Sequence, residues 1–458
     1  MPLVKKGAHA LRLTGTSDGA DATMVVQGGT LAFAEAARWG GRSVAATGAS
    51  TVLRFCGSNL TQPEATVSVA DGATIDLSTL AVVPRLTLDG ASVANGFYRA
   101  ADYPAVLSGA GLLSVGGVAV ATWVGGAAGA WSNGANWSTG EAPRGTTVAW
   151  FTNAVELANE TFDFGADGVC IWNGTGVNLV SRTMFAGSGK FYKFGAGQIE
   201  YAAESTYTGG TLLADGCARL ATYGANCFFG AAEGTVELAC SADGNGPYFE
   251  FGSFGMTLPY AIRFVGKTNV QRIQITNNIR LAGSVESDSD FRIWSAWGPL
   301  YADCGFRAVG KTITFEENDE GRGFVSYIAG AVDASLLKKG TGLLELRGVS
   351  AGAANVLTAD AGTLRLTDAA AWEGPVVVNK GGRLVLGGSA NLSPAATLTV
   401  AAGGTVEVSA GVKVSVAALV VGGKELPAGV YSAATHPDVF AGEGRVRVGT
   451  PGVVIVVR

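Results

Sequence analysis

Proton-transfer catalysis needs carboxylates or histidines held beside a substrate. The carboxylates of this chain concentrate in two runs, Glu286-Ser287-Asp288-Ser289-Asp290 and Glu316-Glu317-Asn318-Asp319-Glu320. Such oxygen-rich runs could bind calcium or act on a polysaccharide. Neither has EF-hand loop spacing or that of the Asp-containing nonapeptide repeat, and both fall at expected turns, so a solvated loop that discourages aggregation is the expected role. Two histidines, His9 and His436, offer little for a Ser-His-Asp triad, and neither a G-x-S-x-G elbow nor H-E-x-x-H occurs. The phosphate-loop pattern G-x-x-x-x-G-K-[ST] is absent, since Gly422-Gly423-Lys424 runs on into Glu425. Six cysteines, at positions 56, 170, 217, 227, 240 and 304, form no C-x-x-C pair, and two histidines cannot complete a zinc set. Cys217 and Cys227 are the two that a short turn could bring within disulfide reach, although scattered cysteines in apolar strands more often pack as small core residues. Trp294, Trp297 and Tyr301, between Phe291 and Phe306, could stack on carbohydrate; burial in wide coils is the commoner role for such a cluster. These residues assign no catalytic, metal or cofactor site, and no ligand-binding residue.

The elements that must carry these groups follow from composition. The 458 residues include 68 Gly, with 48% apolar and 15% charged residues. Glycine costs about 1 kcal/mol in a helix interior relative to alanine, so such a chain is expected to build strands and turns. Its apolar content excludes disorder, and glycine without a three-residue period excludes collagen. A net charge of −5, from 32 basic and 37 acidic residues, gives no nucleic-acid footprint. The opening MPLVKKGAHALRLTG lacks the apolar stretch of a secretion signal. Residues 103–140 carry no charge, yet Gly, Ser, Asn and Thr interrupt them too often for a membrane-spanning helix.

A shift of 333 residues lays the first quarter of the chain on the last, with Lys5-Lys6-Gly7 on Lys338-Lys339-Gly340, Gly29-Thr30-Leu31 on Gly362-Thr363-Leu364, and Trp39 on Trp372. Residues 86–116 match 419–449 without a gap at 12 of 31 positions. The expected organisation is the end of one cassette (1–117), a Trp-rich cassette start or cap (118–160), a second cassette (161–449) and a terminal strand or tail (450–458). The shortened first cassette suggests an N-terminally truncated fragment of a longer precursor. Inside the cassettes a smaller unit recurs: residues 3–15, 191–203 and 336–348 each place a basic or aromatic pair before Gly and then an alternating strand. From that first Gly to the second turn Gly is about 22 residues, one coil of a solenoid. Strands of five or six residues cannot bury a face alone, so the coils must stack in parallel on a shared core. Roughly twenty such coils would use the whole chain, an upper bound because caps and loops consume residues.

The segment GSGKFYKFGAGQIEYAAESTYTGGTLLADGCARLA (187–221), centred on Thr206-Tyr207-Thr208-Gly209-Gly210-Thr211, resembles the autotransporter-associated beta-strand repeat of bacterial surface passengers. The copies at 3–33 and 336–366 keep its Lys-Gly opening and Gly-Thr-Leu close without that core. The resemblance implies an all-β, right-handed parallel β-helix with short capping segments, export to the cell surface or medium, and a non-enzymatic role as a stalk or adhesin-like passenger. Surface glycans, or proteins of a host or neighbouring cell, are the partners it implies. No barrel of the kind that secretes autotransporters follows the last cassette in this sequence. The segment ATWVGGAAGAWSNGANWSTGEAPRGTTVAWF (121–151) resembles the opening of such cassettes, and Trp123, Trp131 and Trp137 are expected to close a solenoid end rather than to stack on sugars. The alternatives are a β-helical lyase or glycosidase, which needs a carboxylate-lined groove, and a carbohydrate-binding module, which needs exposed coplanar aromatics near Trp294.

Overall fold

Val332–Lys339 alternates buried and half-exposed side chains along its whole length, as period-two strand geometry requires of one face turned to a core. In the computed structural model this pattern recurs in both halves of the chain. The chain is all-β, its parallel strands stacked as a β-solenoid of about 17 turns, and no α-helix occurs among the described residues. The structure describes residues 2–34, 37–55, 59–77, 80–100, 102–109, 112–117, 120–174, 176–214, 216–220, 228–239, 248–251, 255–265, 272–275, 278–295, 298–318, 322–350 and 352–449. The strand expected at 450–458 lies outside them.

The chain divides into two compact units. Unit 1 is Met1–Arg219 with Cys227–Pro247. In it a first stack pairs Leu3–Lys5, Thr23–Val26, Ser43–Thr47, Thr66–Ala70 and Arg85–Leu88 in that order. A second stack of the same unit begins at Val120–Thr122 and continues through Val148–Phe151, Val169–Asn173, Phe191–Phe194 and Thr211–Ala214. Unit 2 is Leu220–Asn226 with Tyr248–Arg458. Its core is built from ladders of like residues, one of them Phe291, Ile313, Leu336, Leu357, Val376, Leu398 and Leu419, each in register with the next and each at most 2% exposed. Residue pairs 333 positions apart occupy the same registers. Leu3 pairs with Met24 as Leu336 pairs with Leu357, and Leu11 with Leu31 as Leu344 with Leu364. Antiparallel hairpins end both copies, with Gly96 opposite Val115 and Gly429 opposite Val448. Turning the last strand back protects an edge that would otherwise template aggregation.

The recurring Lys-x-Gly opening acquires a physical role here. Lys5, Lys193 and Lys338 point inward and are buried. The ammonium of Lys5 donates to the carbonyls of Gly7 (2.8 Å) and Gly28 (2.5 Å). Lys193 donates to Gly195 and Gly197, and Lys338 to Lys339 (2.6 Å) and Gly340 (2.9 Å). Each lysine serves carbonyls of its turn, and those of Gly28, Gly195 and Gly197 are buried. The glycine that closes the opening takes a positive φ in all three copies, +81° at Gly7, +85° at Gly195 and +74° at Gly340. A Cβ at Gly340 would lie 2.1 Å from the Glu317 carbonyl oxygen of the preceding coil, whereas at Gly7 it would meet nothing within 4 Å.

The motif core is equally structural. Tyr207 is buried against the rings of Phe164 and Phe191, and its hydroxyl shares a 2.5 Å hydrogen bond with Thr211 Oγ1. Thr206 and Thr208 donate their backbone N–H groups to Phe185 and Gly187 of the previous coil.

Candidate functional site

The Trp-rich segment closes on itself. Trp123, Trp131 and Trp137 are at most 7% exposed. Trp131 meets Trp137 edge-on at 4.8 Å and Phe185 at 5.3 Å, and Trp123 stacks on Phe151 at 5.7 Å. With their faces used inside the core, these rings cannot stack on a sugar. Beside this cap lies a cavity of about 690 Å³, lined by Ser132, Thr139, Glu141, Arg144, Thr147 and Phe162 among others. The Arg144 guanidinium sits 5.6 Å from the centre of the Phe162 ring.

The two carboxylate runs part ways. Glu286 and Asp290 are exposed, and Asp290 Oδ1 accepts the backbone N–H of Thr312 at 2.7 Å across the coil boundary. In the second run, Glu316 and Glu317 end the long strand Phe306–Glu317 instead of lying in a loop. Glu316 pairs with Arg292 at 2.6 Å, while Glu317 is fully buried and accepts from Ser326 Oγ at 2.9 Å. Strand alternation turned Glu317 inward, which a count of charges in sequence could not reveal. Asp319 and Glu320 lie outside the described residues. Among the described residues no three His, Cys, Asp or Glu side chains converge as a metal set.

The aromatic cluster separates between two sheets. Trp294 is half-buried on Phe291–Ser295, in register with Gln274 and Glu316, whereas Tyr301 lies on Leu300–Ala302. Trp297 is outside the described residues. Phe291 and Phe306 are core residues, 6.3 Å apart. What Tyr301 joins instead is an outward ladder of unit 2, where Arg280, Tyr301, Tyr327, Glu345 and Arg365 come from five successive coils. The Tyr301 and Tyr327 rings are 5.3 Å apart. Arg280 lies 5.9 Å from the Tyr301 centroid and Arg347 only 3.9 Å from that of Tyr327. Asp303 accepts from the Tyr327 hydroxyl at 2.7 Å and pairs with Arg280. Glu345 binds Arg347 at 2.7 Å and Arg365 at 3.0 Å.

Electrostatics follow from those contacts. The Tyr327 hydrogen bond, with Arg280 behind it, holds the Asp303 carboxyl below its ordinary range, while burial and the Asp303 charge push the Tyr327 hydroxyl up. A carboxylate kept ionised in this way is poorly suited to general-acid work at neutral pH. Arginines over the rings also occupy faces that a sugar would need.

The remaining candidates are placed as follows. Cys170 and Cys304 are free thiols, and burial pushes Cys304 up to about 11 and Cys170 well above its usual value. Cys217 is buried, while Cys56, Cys227 and Cys240, and with Cys227 the expected pairing, lie outside the described residues. His436 packs edge-on against Tyr431 at 5.1 Å, the place that Tyr103 takes beside Tyr98 in the first copy. His9 is exposed on the first coil. No helix among the described residues is long and apolar enough to cross a membrane. No protein-family model, curated protein or solved structure matches this chain.

Proposed function

We propose that this protein is a non-enzymatic bacterial surface or secreted repeat protein, an adhesin-like passenger or stalk whose coils carry loops and outward ladders. The observation that carries the reading is the employment of its chemically capable groups within turns and between coils. Lys5, Lys193 and Lys338 cap turn carbonyls, and Asp303, Glu345 and Glu407 each hold an arginine of a neighbouring coil. Solenoid stability is a sum over such nearest-neighbour terms, so these contacts serve the scaffold. Incubating the full chain with a panel of plant, algal and bacterial polysaccharides tests the reading. Release of new reducing ends or of unsaturated products from any of them would replace it with the lyase or glycosidase alternative.

The carbohydrate-binding alternative draws on one observation, the cavity beside the tryptophan cap with its single exposed-lip pair of charges, Glu141 and Arg144. On a neutral-glycan array the scaffold reading expects no signal that Arg144→Ala abolishes.

A further inference from the structure

The duplicated end sheets differ on their outer face, and the difference points to a ligand. In the first copy Leu80–Val83 pairs with Leu112–Val115, which pairs with Gly96–Tyr98. Both faces of Leu80–Val83 and Leu112–Val115 are buried, and Gly96–Tyr98 is half-buried. Ala81, Val83, Leu113 and Val115 belong to the core of the first stack, and Leu80, Val82 and Leu112 are buried outside it. That outer face packs on the second stack of the same unit: Phe97 meets the Tyr192 ring at 4.8 Å and Ser114 Oγ donates to the Thr146 carbonyl at 2.9 Å.

In the second copy the same sheet is Lys413–Val416, Arg445–Val448 and Gly429–Tyr431, in the same registers. Its inner residues Val414, Val416 and Val446 remain core. The outer positions have changed sign of character. Leu80 becomes Lys413, Leu112 becomes Arg445, Ser114 becomes Arg447 and Phe97 becomes Val430. All three basic residues are exposed, and Val430 is 51% exposed. Lys413 stands directly opposite Arg445, a like-charge cross-strand pair of the kind that destabilises a sheet. Among the described residues none of the three forms an ion pair, although arginines elsewhere on the outer ladders do; the nearest acidic residue in sequence, Glu443, does not reach them.

We infer that this face is a docking surface for a linear polyanion, a polysaccharide with a carboxylate or sulfate along its length. Three cations on one sheet face, Lys413 opposite Arg445 and Arg447 two residues further along the same strand, can meet anions repeated along an extended chain, and an anion there removes the repulsion between Lys413 and Arg445. A lone exposed valine is too little apolar surface for insertion into a bilayer, and a net charge of −5 disfavours nucleic acid. The inference goes beyond the scaffold reading and fails separately from it, since polyanion binding in solution depends neither on export nor on the absence of an activity.

The test titrates the full chain with polygalacturonate, with neutral dextran and with phosphatidylglycerol/phosphatidylcholine vesicles, at low salt and at high salt. Expected are saturable binding to polygalacturonate that high salt abolishes, and an affinity at least about tenfold weaker in the triple variant Lys413→Thr, Arg445→Thr, Arg447→Thr. The variant Arg12→Thr, which removes an exposed arginine of the first stack, should bind like the parent. Circular dichroism of the triple variant verifies that its outward substitutions leave the fold intact. The inference is overturned by no binding, by equal binding to dextran, by an unchanged triple variant, or by vesicles outcompeting polygalacturonate, which would make the face a membrane contact.

Discussion

At the scale of single residues, the turn glycines and the caged lysines show how one sequence motif carries different energetic weight in different coils. Gly7 and Gly340 have nearly the same positive φ, yet only Gly340 has a carbonyl of the preceding coil where a Cβ would go. Gly7→Ala should therefore cost only the left-handed strain, about 1–2 kcal/mol. Gly340→Ala adds a steric overlap that the stacked backbone cannot relieve, and urea denaturation should register at least about twice that loss. Equal losses would mean that the coils slide apart easily. Lys338→Met keeps the volume of the side chain and removes the donor that serves the half-buried Lys339 and Gly340 carbonyls. Its expected cost is about 1–2 kcal/mol, below the full value of two charge-assisted bonds because water can reach half-buried carbonyls. A methionine variant as stable as the parent in urea would show that water, not lysine, normally serves those carbonyls.

At the scale of elements, the outward ladder of unit 2 ties neighbouring coils through groups whose titration can be followed. Asp303 has a depressed pKa in the folded chain, so its contribution to stability is present above the ordinary carboxylate range and fades as pH falls through the folded value. Tyr327→Phe removes the first cause of that depression. The Asp303 pKa should rise toward its usual value, so the variant should be slightly less stable than the parent at neutral pH and should lose less stability on acidification, a modest difference because the pair is exposed. Carbon-detected NMR of the Asp303 carboxyl gives the first readout and acid denaturation the second; an unmoved pKa would assign the depression to Arg280 instead. Little of this ladder was legible in sequence. The spacing of Leu343 to Leu346 announces an alternating strand, but that Tyr301 faces Tyr327 rather than Trp294 depends on which strands become neighbours one coil apart, and the coil length varies there. The inward turn of Glu317 was hidden for the same reason: its strand runs to Glu317, past the turn expected at the charge run.

At the scale of the whole molecule, the fold was the most legible feature, because Gly7, Gly195 and Gly340 with their lysines repeat a coil and the 333-residue shift repeats a set of coils. The basic face was not read from the sequence: Leu112 set against Arg445 and Leu80 against Lys413 look like ordinary divergence between copies until the structure shows the two leucines buried against a neighbouring stack. Duplication also supplies an internal control for how stability is distributed. Leu336–Lys338 is held on both sides, by Phe306–Glu317 and by Leu357–Ala359, and Leu336 is fully buried. Among the described residues its counterpart Leu3–Lys5 is the outermost strand of its sheet, bonded only to Thr23–Val26, with Leu3 48% and Val4 44% exposed. In a nearest-neighbour solenoid an end coil has one interface term where an interior coil has two, so it opens more often. Hydrogen-exchange mass spectrometry of peptides spanning 2–13 and 335–346 should show the first pair of strands exchanging on the order of 100-fold faster, the ratio that about 2.7 kcal/mol of opening free energy produces. Equal protection of the two copies would mean that opening is global and cooperative, and that coils do not act as separate stability units.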